Sequence, residues 1–576
     1  MTPWHCLLQR KLRVSLFLCV LLLSPLLSNC GGAGNQGGTG GGPNPGPDPG
    51  PPPPSPAINF FLAGNTQSSQ FPVTNGSLYI SGGDFDDGIF SVLSRGSGAT
   101  SLAFSTYLGG VAGAGGTQLR AIWSDPVSGD IFIGGRTGNA GVSFPVTAGV
   151  FQPSYAGGPD DAVICRYTAA GKEKWCSYLG TNGPETEETV YAVAGLDPNG
   201  NLAVCGRMNY IANGTLFDGV KAVRIGPAET GDQAYVAKIK PDGSALVWYT
   251  GFGGSIADGN RGRCILDSQG NVYGEGDTES IDFPATAGAF QTVNRDTGPH
   301  HQNGMVYEMA ADGSHLVWSS YIGGTSGSSD VGDIAEGGLA LDADGNLYVA
   351  GSTPGSANFF VNGNATGYQK TLPAGQGLGA CIVAYIKGDG SQILHSTFLG
   401  GATGGFSLPG NELDTECDAI ALDSSGNVVV EGFTSYSDFP TTAGAYQTKK
   451  PGVGSNATNG FVTKLSADLS TLVASTYIGG SGNEFMDNSS DIAFDANGEI
   501  FSMLSSYSPN FPATPDALFP SYIGQGNDIV VFGLSPDLKT LVYGTYFGGP
   551  TAIGETTVSA GNWPWAMALT IGPTPQ

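Results

Sequence analysis

Seven copies of one strand ending constrain this chain more than any other feature. They read "STYLGG" (Ser105–Gly110), "CSYLG" (Cys176–Gly180), "TGFGG" (Thr250–Gly254), "SYIGG" (Ser320–Gly324), "TFLGG" (Thr397–Gly401), "TYIGG" (Thr476–Gly480) and "TYFGG" (Thr545–Gly549). Their first glycines, at 109, 180, 253, 323, 400, 479 and 548, are spaced by 71, 73, 70, 77, 79 and 69 residues. A near-constant period marks a repeat architecture, in which each unit buries its faces only by stacking on its neighbours.

Within each period four segments rich in β-branched and aromatic residues read as strands. In the sixth unit strand a is "DAIALD" (Asp418–Asp423) and strand b is "VVVEGFT" (Val428–Thr434), joined by the turn "SSGN". A long loop carries "DFPTTAGAYQT" (Asp438–Thr448), before strand c, "GFVTKL" (Gly460–Leu465), and strand d, "TLVASTYI" (Thr471–Ile478). The a–b turn recurs as "DPNGN" (Asp197–Asn201), "DSQGN" (Asp267–Asn271), "DADGN" (Asp342–Asn346) and "DANGE" (Asp495–Glu499). Asp and Asn bond local backbone and Gly accepts positive φ, so this is hairpin chemistry. Calcium ligation by the "DADG" copy is the alternative, but the other copies lack a second carboxylate. The loop motif recurs as "FPVTAGVFQ" (Phe144–Gln152), "FPATAGAFQ" (Phe283–Gln291) and "FPATPDALF" (Phe511–Phe519), and is lost in the third and fifth units. It reads as packing that pins a long loop down; an exposed aromatic ligand platform is the sharper alternative.

Four antiparallel strands repeated seven times predict an all-β, seven-bladed β-propeller. The first unit offers only strands b, c and d, and a lone strand "WAMALT" (Trp565–Thr570) follows the seventh. The C-terminal strand is therefore expected to complete the first blade and close the ring.

The "TYLGG" ending, the "A-x-D-x-x-G-N" turn and the "FP-x-T-x-G-A-[FY]-Q" loop together resemble the bacterial seven-bladed β-propeller (SBBP) repeats of exported proteins, over about residues 58–570. The resemblance implies a propeller in an extracellular or cell-surface setting. It carries over no catalytic residue, because the repeat defines none.

The N-terminus agrees with export. Arg10, Lys11 and Arg13 precede the apolar run "VSLFLCVLLLSPLL" (Val14–Leu27), which has signal-peptide length. "LLSNC" then resembles a lipobox with Cys30 as the lipidated residue, although Asn29 departs from the usual small residue before it. Residues 1–29 are thus read as a lipoprotein-type signal peptide, 30–57 as the lipidated Cys with a Gly/Pro-rich linker, and 58–576 as the propeller. "PNPGPDPGPPPPSPA" suits an extended stalk, on the order of 40 Å at ~3.1 Å per residue. The expected setting is the bacterial cell envelope, at the outer membrane or cell surface through the lipid anchor, with plain secretion as the alternative.

Without the signal peptide the chain has 20 Lys+Arg against 49 Asp+Glu, a net charge of −29. That balance argues against nucleic acid as a partner and is compatible with cations or neutral glycans. The body's six cysteines show no zinc spacing. Cys165 and Cys176 flank the turn "TAAGKEK" and would face each other across a hairpin, as a disulfide or as two small buried thiols.

The b–c loops and d–a linkers share one face of such a ring, and binding residues gather on long loops carried by a rigid scaffold. Several linkers carry carboxylates: Glu185, Glu187 and Glu188; Asp330, Asp333 and Glu336; Glu412, Asp414 and Glu416; Glu484, Asp487 and Asp491. They are candidate Ca²⁺ ligands, or else solubilising charge. His300 and His301 sit on a long b–c loop as a candidate acid/base or ligand pair, or as solvated loop residues. The expected function is a monomeric, surface-anchored binding or interaction module taking a protein or glycan ligand on its long-loop face. The alternatives are a carbohydrate-active hydrolase or lyase at the channel mouth, and a purely structural envelope component.

Overall fold

The computed structural model describes residues 58–573 apart from 67, 75–86, 110–115, 139–143, 184–186, 210–213, 216–219, 228–230, 260, 297–301, 325–336, 354–366, 373–378, 405–414, 453–456, 486–490, 524–527 and 550–564. Seven separate sheets follow one another along the chain. In blade 6, strand a is Thr415–Leu422, b is Val428–Thr434, c is Asn459–Leu465 and d is Leu472–Ile478, all paired antiparallel. Blade 1 takes its strand a from the chain's end. Trp565–Pro573 pairs antiparallel with Ile58–Thr66, and Asp87–Arg95 and Thr100–Leu108 complete the sheet. The fold is the expected all-β, seven-bladed propeller, closed by the C-terminal strand.

Seven hydrophobic clusters, each between two consecutive blades, account for the alternation of residues along the strands. In strand b of blade 6, Val428 and Val430 pack with blade 5 whereas Val429 packs with blade 7. Successive side chains of a strand point to opposite faces, and here both faces are core. The apolar run "VVV" is therefore required, where a one-sided sheet would alternate. The seventh cluster joins Phe60, Leu62 and Leu569 of blade 1 to Phe501, Val531 and Tyr543 of blade 7, and so completes the ring. Arg95 of blade 1 clasps the same seam: it pairs with Asp516 at 2.8 Å and lies over the Tyr543 ring at 4.9 Å.

Three departures from four plain strands bear on function. Blade 3 adds Gly214–Thr215 and Lys221–Ile225 outside its strand d (Leu246–Phe252), the second of these running parallel to it. Strand a of blade 4 is split into Asp258–Gly259 and Cys264–Leu266. Strand a of blade 7 is split into Glu484–Phe485 and Ala493–Phe494.

The long b–c loops do not all rise toward the channel. Their Phe-Pro segments lie along the outer strand d of their own blade, where Thr286, Thr442 and Thr514 donate backbone N–H to Ser319, Ser475 and Gly544. Phe144, Phe283, Phe439 and Phe511 are buried, as the packing reading required, and they are not an exposed platform. The loops then reach the next blade: Phe290 N–H donates to Gly390 O, and Tyr446 N–H to Leu538 O. Each such loop thus covers an edge that would otherwise offer unpaired backbone to another chain.

Disulfides join Cys165 to Cys176 within blade 2, Cys205 of blade 3 to Cys264 of blade 4, and Cys381 of blade 5 to Cys417 of blade 6. In the a–b turns the Asp Oδ1 accepts backbone N–H from the second and fourth residues onward, as Asp342 does from Asp344 and Asn346. The turn is satisfied by its own backbone.

Candidate functional site

The a strands of neighbouring blades touch one another and line the ring's centre. Four of them carry a β-bulge at one shared position, which leaves Met567 in blade 1, Arg120 in blade 2, Tyr191 in blade 3 and Asp418 in blade 6 without a register partner. A bulge re-aims a side chain and interrupts pairing. Opposite each bulge stands a glycine of strand b: Gly64, Gly135, Gly206 and Gly432. At the last three a Cβ would run into the carbonyl oxygen of Gln118, Thr189 or Glu416. In these three blades the glycine after the fourth residue of strand b is therefore the sequence trace of the bulge. In blades 4 and 7 the same region is where strand a splits, and the gaps hold Arg261 and Arg263, and Asp491.

The result is a concentration of arginine. Nine arginines follow residue 29, all before residue 300, and five of them lie at the long-loop end of strands a and b in blades 2–4. Arg136 and Arg207 are each third from the end of strand b, in Ile131–Gly138 and Leu202–Asn209. The two bulged residues Arg120 and Tyr191 stack, with the guanidinium 5.2 Å from the ring centroid. Arg120 and Arg136 both donate to Gln118 Oε1, at 3.2 and 2.9 Å. Arg136 also pairs with Asp160 at 3.2 Å, and Arg207 with Asp232.

Glu187 is the centre of this network. Arg207 approaches it at 2.9 Å, Arg261 at 3.0 Å and Arg136 at 3.9 Å, so guanidinium groups from three blades meet on one carboxylate. Burial opposes its ionisation, but Arg261, Arg207, Arg136 and Arg120 outweigh burial and hold it down at about 2. Side-chain exposures of 33% for Arg261 and 29% for Glu187 leave the rim of the cluster open to solvent. Further round the ring, Arg263 of blade 4 meets Asp491 of blade 7 at 3.1 Å, an ion pair that spans the channel.

The other linker carboxylates have different places. Glu188 accepts from Thr181 N–H at 2.6 Å and from Asn209 at 2.6 Å, fully buried. Glu484 accepts from Gly480 N–H at 3.1 Å, from Ser506 at 3.0 Å and from Ser508 and Asn459. Asp258, which sequence reading did not single out, does the same for Gly254 at 2.6 Å and Ser280 at 3.0 Å. Asp258 and Glu484 tie a Gly-Gly linker, and Glu188 the Gly180-Thr181 linker, down where the chain leaves strand d. Burial pushes Glu484 and Asp258 up to about 7, against those hydrogen bonds. Glu416 lies in strand a of blade 6, two residues before the bulged Asp418. Cys30, Glu185, Asp330, Asp333, Glu336, Glu412, Asp414, Asp487, His300 and His301 lie outside the described residues. Among the described residues no group of three or more His, Cys, Asp and Glu is placed to hold a metal ion.

Blade 4 departs from the repeat on the same face. Ile256, Ile281 and Val293 are 41%, 65% and 65% exposed, where blade 6 or 7 carries Gly482, Ser437 and Lys449 at the matching positions. Ser280, next to Ile281, accepts Ile256 N–H on its hydroxyl at 3.0 Å, and its carbonyl accepts from the side chain of Asn294, next to Val293, at 3.3 Å. The sequence reading missed the arginines because it took the chain's acidity as a whole. Their signal was present in "GGR" (Gly134–Arg136) and "CGR" (Cys205–Arg207), which fall at one repeat position.

No protein-family model and no curated protein matches the chain. Among solved structures it is similar to BamB from Moraxella catarrhalis (11% identity, TM-score 0.30, covering 76% of this chain and 94% of that one). It is also similar to apo AztD from Citrobacter koseri (10%, 0.34, 90% and 100%) and to the polysaccharide lyase Uly1 (8%, 0.33, 77% and 87%).

Proposed function

We propose that this is an exported propeller of the SBBP type, lipid-anchored through Cys30, that works as a binding module by presenting the long-loop end of its ring to a ligand. One observation carries the reading: the chain breaks its own repeat in a concentrated way on that end. The short-turn end is spent on repeated latches, such as Lys238 to Asp197 at 3.1 Å and Lys464 to Asp423 at 3.0 Å, which serve the fold alone. At the long-loop end of blades 2–4, by contrast, sit the arginine network, the stacked Arg120–Tyr191 pair and the exposed Ile256, Ile281 and Val293. Charged, aromatic and apolar groups on loops over a rigid scaffold are the usual material of a binding surface.

The test is a glycan, peptide and metal binding screen on the chain without its signal peptide, repeated with Arg136→Met and Ile281→Ser. Binding that weakens in either variant at unchanged melting temperature supports the module. A screen with no binder, or binders indifferent to both changes, would remove this face from consideration.

A further inference from the structure

We infer that the arginine corner of blades 2–4 receives the carboxylate of a terminal acidic sugar on a glycan, with Glu187 as the internal occupant that the ligand's carboxylate replaces. The inference deepens the binding-module reading and rests on it. The corner already shows that it holds a carboxylate: Glu187 lies 2.9 and 3.0 Å from guanidinium groups of blades 3 and 4, and 3.9 Å from one of blade 2. Arginine presents a planar fork of donors that matches carboxylate geometry, so this arrangement selects shape as well as charge.

Two features narrow the ligand. Arg120, Arg136, Arg207 and Arg261 are matched by Glu187, Asp160, Asp232 and, beside Arg261, the buried Asp277, so displacing Glu187 leaves a single positive charge for the ligand to meet. With the −29 of the chain around it, a dianionic phosphate or a polyanion is disfavoured relative to a single carboxylate. Asp160, Asp232 and Gln118 stand among the arginines as acceptors. A bare carboxylic acid has no use for acceptors, whereas hydroxyl groups beside a carboxylate donate to them. Carboxylate plus neighbouring hydroxyls is the chemistry of a uronic-acid type sugar. The cluster's open rim, at Arg261 and Glu187, is where such a terminus would enter.

The experiment titrates the intact chain with a glucuronate-terminated disaccharide, its neutral glucose-terminated counterpart, acetate and inorganic phosphate, followed by calorimetry. Wild type should bind the acidic disaccharide at least tenfold more tightly than the other three. Glu187→Gln, which removes the internal competitor while keeping its shape, should raise that affinity roughly tenfold. Arg261→Ala, on the half-open linker, should lower it at least tenfold. Because Glu187→Gln gives up ion pairs that stabilise the fold, its melt should fall, and affinities are compared at a temperature where every variant is folded. Acetate binding as well as the disaccharide overturns the assignment to a sugar. No acid-specific binding by wild type or Glu187→Gln overturns the carboxylate site. Another ligand bound on this face with Arg261→Ala unaffected also overturns it but leaves the binding module standing, whereas the absence of any ligand in the wider screen removes both.

Discussion

The hydroxyl of Tyr477 accepts the backbone N–H of Phe439 at 3.0 Å and donates to the carbonyl of Tyr436 at 2.9 Å. One side chain on strand d thereby holds down the Phe-Pro loop of its blade. Tyr107, Tyr321 and Tyr546 do the same for Phe71, Phe283 and Phe511, and Tyr178 bonds the N–H of Phe144. Blades 3 and 5 lack the Phe-Pro pair, and they also lack the tyrosine: Gly251 and Phe398 stand in its place. At Gly251 a Cβ would meet the side chain of Gln233, which fills the vacated space. The aromatic of "TYLGG" and the loop motif are two halves of one contact.

Tyr477→Phe should therefore cost more than its single lost hydroxyl suggests. It leaves the buried Phe439 N–H unpaired, and a buried unsatisfied group costs about 1–3 kcal/mol. The urea midpoint should fall accordingly. An unchanged midpoint would mean the loop is held by the buried Phe439 ring alone.

Removing residues 565–576 takes away the strand that pairs with Ile58–Thr66 and the Leu569 contribution to the seam between blades 1 and 7. The expected outcome is loss of the cooperative melt and of soluble expression, whereas deleting residues 31–57 should leave the melt unchanged. A truncated chain that melts with wild type contradicts closure by this strand.

The Cys205–Cys264 bond closes 59 residues and ties blade 3 to blade 4. In the chain-entropy view a loop of that length contributes about 4 kcal/mol, against about 3 kcal/mol for the 11 residues between Cys165 and Cys176. Replacing both Cys205 and Cys264 by Ala should destabilise more than replacing both Cys165 and Cys176, and reductant should lower the wild-type midpoint. If reductant has no effect, these bonds do not stabilise the ring.

Glu484 and Glu187 give opposite pH dependences. Glu484 rises from its ordinary 4.5 to about 7 in the folded state. Between those values the native chain binds a proton that the unfolded chain has lost, so stability falls as pH rises through the window, by up to about 3 kcal/mol. Glu187 is depressed to about 2, so its contribution is present above 4.5 and is lost as pH falls toward 2. Denaturation across pH 5–8 should show a slope that Glu484→Gln reduces, with Asp258, also raised to about 7, supplying part of what remains. A slope unchanged in that variant assigns the proton elsewhere.

By itself, the sequence determined the number of blades, the four strands of each and the closure by the last one. All of these follow from local information: period, strand propensity, and Asp, Asn and Gly at turns. It also placed Cys165 opposite Cys176, because a hairpin register is set by its own turn. Only the tertiary structure decided which charges meet. Glu187, Arg136, Arg207 and Arg261 span 125 positions of the chain and come together because blades 2, 3 and 4 converge on one axis. It also separated Glu187 from Glu188: adjacent residues of a strand-like segment face opposite ways, so one meets arginines while the other ties down its own linker.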